Sequence, residues 1–133
     1  MPVRTWTAPK LATSLSQNTG ADPELAVLAD GRFVIVWEDF SGIGQNMARV
    51  FETDGTASAP EFVIPSGANS NDTALDPHVA ALSDGGYAVV HGVSTTTGRE
   101  VSIAQVFDSD SQSVQAAGIY NDSPFTDFYD IHS

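Results

Sequence analysis

The chain states one pattern twice. Residues 22–37 read DPELAVLADGRFVIVW, and 54 residues later positions 76–91 read DPHVAALSDGGYAVVH. A further pair of blocks, ARVFETD at 48–54 and AQVFDSD at 104–110, recurs at an offset of 56, so the stretch between the matched blocks is two residues longer in the second copy. A period of this size belongs to stacked or radially arranged supersecondary units, because one such unit cannot bury its own apolar face. A neighbouring unit has to cover it.

The local pattern within each copy points to strands. Apolar runs at 25–28 and 33–37 flank Asp30-Gly31, and those at 79–82 and 87–90 flank Asp84-Gly85-Gly86. Asp-Gly suits the positive backbone angles of a two-residue turn, so each copy is expected to open with a tight hairpin. A polar loop, 38–46 or 92–100, then leads to a third strand at 47–51 or 101–107. A fourth strand at 61–64 has counterparts at 10–12 and 117–120. Val34, Ile35, Val36 and Trp37 are apolar on both strand faces, which demands cover from both sides.

The expected fold is therefore all-β, with two four-stranded antiparallel, propeller-blade-like repeats in a single domain. Repeat one spans about 9–60, repeat two about 61–115, and a C-terminal extension covers 116–133. Two blades are too few to close a ring, which points to a homo-oligomer; a β-sandwich within one chain is the alternative.

Lys and Arg total 5 against 17 Asp and Glu, a net charge of −12 that repels phosphate backbones and anionic membrane surfaces. Nucleic acid is thus not an expected partner. No stretch has the length and apolarity of a membrane-spanning helix, so no membrane insertion is expected. The absence of cysteine removes disulfides, thiolate metal sites and cysteine nucleophiles together. The first ten residues hold no apolar run ahead of a small-residue cleavage site, so any export would proceed without an N-terminal signal peptide.

The blocks Asp-Pro-x-Val/Leu-Ala-x-Leu-x-Asp-Gly-Gly/Arg-aromatic-x-Val-Val and Ala-Arg/Gln-Val-Phe-Asp/Glu-x-Asp resemble a tandem β-repeat of large bacterial proteins of the RTX-associated, calcium-binding and adhesin type. The likeness covers roughly residues 9 to 122, in two copies. It implies an extracellular, secreted setting and a role in binding or adhesion. The chain lacks the glycine-aspartate nonapeptides of that group, and His91 stands where the first copy has Trp37. Calcium dependence does not follow from the likeness.

Candidate ligand-binding residues are Trp37, Glu38 and Asp39, where an aromatic ring and two carboxylates meet the start of a polar loop, together with His91 at the matching place in the second copy. An aromatic face beside acidic groups can stack on and hydrogen-bond a glycan or a cationic ligand. The competing role for Trp37 is core filling, since strand alternation sets it on one face with Phe33 and Ile35. Calcium, if bound, is expected at Asp39 and Asn46 or at Asp108 and Asp110, where oxygen donors cluster near glycine or serine. The same residues are what solvated turns require. His78, His91 and His132 show no zinc spacing.

No nucleophile elbow, zincin helix or phosphate loop is present, and no catalytic residue is assigned. The expected function is a non-enzymatic, extracellular-type binding or adhesion module on an oligomeric β scaffold, with a glycan as one ligand class. The alternative is a small hydrolase or metal-assisted enzyme with its site at a subunit junction. For hydrolysis, Glu38 or Asp39 would need a partner carboxylate facing it. The aromatic-rich segment 124–133 is expected to dock on the domain or a second subunit, or to act as an export signal.

Overall fold

The computed structural model describes residues 12–13, 20–40, 44–65, 73–98 and 100–120, the side chains of 115–120 excepted. Eight strands and no helix lie within them: β1 (Gly20–Val27), β2 (Phe33–Asp39), β3 (Gln45–Phe51), β4 (Phe62–Val63), β5 (Thr73–Ala81), β6 (Tyr87–Ser94), β7 (Glu100–Phe107) and β8 (Ser113–Tyr120). They form two four-stranded antiparallel sheets, β1-β2-β3-β4 and β5-β6-β7-β8, one for each sequence repeat. Of the strand expected at 10–12 only Ala12 is described, in a bend, and the segment 124–133 lies outside the described residues.

The first hairpin differs from the two-residue turn expected of Asp30-Gly31. Leu28 N–H donates to Arg32 O and Gly31 N–H donates to Leu28 O, which closes a three-residue loop of Ala29, Asp30 and Gly31. Only Gly31 takes a positive φ, at 91°. Ala29 would pay for a left-handed angle, whereas one glycine at the last loop position lets the strands keep their twist. Asp30 accepts the Arg32 N–H on its Oδ1 and so holds the loop from inside. The same bonding pattern recurs at 52–56, 82–86 and 108–112. In the last of these Ser111 replaces glycine at φ 62°, and its Oγ accepts the Tyr87 hydroxyl at 2.7 Å.

Strands also run further than the apolar pattern suggests. β2 continues through Glu38 and Asp39, which pair with Asn46 and Gln45 of β3. β6 continues to Ser94, opposite Glu100. Much of what reads as polar loop is therefore ladder, because side chains that look solvated in sequence find partners across the strand or in the next sheet.

The two sheets pack through one face each. Val34, Val36, Ala48 and Val50 of the first sheet, with Leu28 and Ile64, meet Tyr87, Val89 and Phe107 of the second in one buried cluster. Directly opposed residues of an antiparallel pair share a face, so the ladder places Glu38 and Asn46 on this same core side. The aromatic pairing repeats as well: Phe33 stacks on Phe51 at 5.3 Å between ring centroids, and Tyr87 on Phe107 at 5.2 Å. β5, the first strand of the second sheet, lies against β1, β2 and β3.

Each first strand carries a bulge at the same place. Asp22 and Pro23 stand opposite a single β2 residue between the pairs Ala21–Glu38 and Glu24–Val36. Asp76 and Pro77 do the same between Leu75–Gly92 and His78–Val90. Proline has no N–H to give to a ladder and is tolerated where the ladder is interrupted. Asp22 and Asp76 both adopt φ 47°, a left-handed angle that aspartate accepts more readily than most residues.

Candidate functional site

The bulges turn Asp22 and Asp76 toward Glu38. One carboxylate oxygen from each of the three lies within 4.8 Å of the other two, with Glu38 buried and both aspartates exposed. Asp22 comes from β1, Glu38 from β2 and Asp76 from β5, so the cluster bridges the two repeats. None of the three belongs to an ion pair among the described residues.

The peptide unit joining Leu75 to Asp76 is held from both ends. Glu38 Oε1 accepts the Asp76 N–H through a short bond, and Asn46 Nδ2 donates to the Leu75 carbonyl at 3.4 Å. Asn46 is wholly buried, and its Oδ1 has no hydrogen-bond partner. One step further along β5, Glu24 Oε2 accepts the Val79 N–H at 2.7 Å while its Oε1 lies 3.2 Å from His78 Nδ1. Three polar side chains of the first sheet thus clamp the first strand of the second.

Burial raises the Glu38 carboxyl above its ordinary value. The Asp76 N–H pulls the other way, and the charges of Asp76 and Asp22 push upward again. One carboxyl that favours its neutral form beside two exposed carboxylates makes a centre that attracts cations.

The residues singled out from sequence are distributed differently from the single loop site expected. Trp37, Glu38, Asp39 and His91 are all buried. Trp37 and Asp39 project from the opposite face of β2 to Glu38, and Asp39 Oδ2 accepts a bond from Gln45 Nε2 at 3.3 Å. Asp39 and Asn46, expected together, therefore point to opposite sides of one sheet. Asp108 lies at the other end of the strands, where its Oδ1 accepts the N–H groups of Asp110 and Gln112 at 2.9 Å, and Asp110 is exposed beside it.

His91 faces the inter-sheet side of β6, on the same face as Val89 and Gln105. Neither ring nitrogen has a hydrogen-bond partner of normal geometry. Burial lowers its pKa below the usual histidine value, against a weaker opposing effect of the Gly92 backbone.

Of the clustered residues, Glu38 and Asn46 were in the expected set, whereas Asp22 and Asp76 were not. The signal for them is the recurrence of Asp-Pro at one fixed place in both repeats. Read as strand, that dipeptide is an anomaly; read as a bulge, it redirects a carboxylate.

Comparison of the chain with protein-family models, with curated proteins and with solved structures yields no match.

Proposed function

We propose that this chain is a non-enzymatic binding module of the extracellular, adhesion-associated kind, with its ligand end at Asp22, Glu38 and Asp76. The observation that carries the reading is the convergence of three carboxylates, drawn from both repeats, on rigid strands. Oxygens bound at calcium's usual distance on opposite sides of the ion stand about 4.6–5.2 Å apart, so a spread of 4.8 Å suits one coordination shell. The unpartnered Oδ1 of buried Asn46, across the strand from Glu38, is a further oxygen donor beside it. Calcium takes six to eight oxygens, which leaves positions for the hydroxyls of a glycan. A site built this way holds its ligand through the ion.

The test is a glycan array probed with the protein in calcium and in chelator. Binding that appears only with calcium, and is lost in an Asp22→Asn, Asp76→Asn double variant, supports the module. Equal binding in chelator, or none in either condition, contradicts it.

One observation favours the hydrolytic alternative. Glu38, with a raised pKa, lies beside two ionised carboxylates, the division of roles used in glycoside hydrolysis. Its carboxyl is buried and already engaged by the Asp76 N–H, which leaves it poorly placed to reach a substrate. Binding is the reading the geometry supports better.

A further inference from the structure

The contact between the two sheets supplies a template for a second contact. In it the first sheet presents Ala26, Val34, Val36, Ala48 and Val50, and the second presents Val79, Tyr87, Val89 and Phe107. Because the sheets are repeats, each also carries the counterpart of what the other buries.

On the second sheet, the residues matching Ala26, Val34, Val36, Ala48 and Val50 are Ala80, Ala88, Val90, Ala104 and Val106. Val36 is 0 % exposed, whereas Val90 is 44 % exposed and Ala80 is exposed too. On the first sheet, the residues matching Val79, Ala81, Tyr87 and Val89 are Leu25, Val27, Phe33 and Ile35. Leu25 and Val27 are 53 % and 61 % exposed. The molecule therefore shows, on opposite outer faces, the two halves of an interface it already makes internally.

We propose that a second copy of this chain docks head-to-tail, with its Leu25, Val27, Phe33 and Ile35 face on the Ala80, Ala88, Val90 and Val106 face of the first. This names the partner of the oligomeric scaffold and rests on the repeat geometry, not on ligand binding at the carboxylates. The contact is heterologous: it joins two different patches, so it adds sheets in one direction until the ring closes. The polar clamps do not recur. His78 and Gly92 stand where Glu24 and Glu38 grip β5, so contact between copies relies on apolar packing and is weaker than the internal one.

The experiment is light scattering at micromolar to hundred-micromolar concentration on the wild type, on Val90→Asp and on Leu25→Asp. Circular dichroism serves as the check that each variant folds, and both substitutions fall on exposed positions. The wild type is expected at a multiple of the 14.0 kDa chain mass, and each variant alone at one chain mass. Mixing the two variants restores one intact contact, so the mixture is expected at twice the chain mass. A wild type that stays at 14.0 kDa throughout overturns the proposal. So does an assembly that survives both substitutions, or folded variants that never combine on mixing. An assembly broken by only one of the substitutions overturns the head-to-tail pairing.

Discussion

Glu38 of the first repeat accepts the backbone N–H of Asp76 in the second, and this bond joins the two sheets at the point where their carboxylates converge. It sets a buried acid to work as an acceptor in a place where its charge is disfavoured. The polar joint and the candidate site are therefore one structure.

A pH dependence follows from the sign of the Glu38 shift. Its pKa in the folded state is raised above the ordinary 4.5, chiefly by burial. The folded protein then holds the proton more tightly than the unfolded chain. Its contribution to stability is complete below 4.5 and is lost as pH rises through the raised value. Denaturant unfolding from pH 4 to pH 8 without calcium should show this decline in the wild type and a flatter profile in Glu38→Gln, which keeps an acceptor for Asp76. Glu38→Ala removes the acceptor and should cost about 1–3 kcal/mol. Matching wild-type and Gln profiles would show that the Glu38 charge is not coupled to folding.

His91 gives the opposite slope. Its pKa is lowered from 6.5 by burial, so the unfolded chain binds the proton more readily and stability falls as pH drops below 6.5. His91→Leu should flatten that limb. It also removes two unpartnered buried ring nitrogens, with an expected gain of about 1 kcal/mol at pH 7. Unchanged unfolding profiles between pH 5 and pH 7 would contradict the neutral, unpartnered ring.

Two glycines differ in why they are needed. At Gly31 the backbone stands at φ 91° and a Cβ would lie 3.1 Å from Thr53 Cγ2, so Gly31→Val should cost about 1 kcal/mol or more. At Gly86 a Cβ would collide with the backbone carbonyl of Phe107, which cannot move without disturbing the β6–β7 ladder. Gly86→Ala should be the more damaging, although alanine is the smaller substitution. Thermal melts of the two variants rank them, and the reverse order would contradict the backbone collision.

The architecture was legible because the repeat and the alternation of apolar residues operate locally. Val34 to Trp37 demand cover on both faces from their side chains alone, and all but Ile35, which is half-buried, are buried. The Asp-Gly turns were placed correctly, but their length was not, since a type of loop depends on how the flanking strands twist. Ser111 carries no turn signal of the glycine kind; its left-handed angle is supported by Tyr87, 24 residues away. The site was half legible. Glu38 and Asn46 stood out as polar groups at a strand end, but Asp22 and Asp76 are 54 residues apart and meet only because both first strands bulge and the sheets stack in one register.

The central claim is that carboxylates from both repeats form one cation-binding centre, and calorimetric titration of calcium into chelator-treated protein tests it most directly. The account predicts a saturable heat with a Kd of about 10⁻⁴ to 10⁻³ M, abolished in the Asp22→Asn, Asp76→Asn variant. Asparagine tolerates the left-handed angle of both positions, so the bulges should survive the change. A flat trace at millimolar calcium, or the same heat from the double variant, would contradict it.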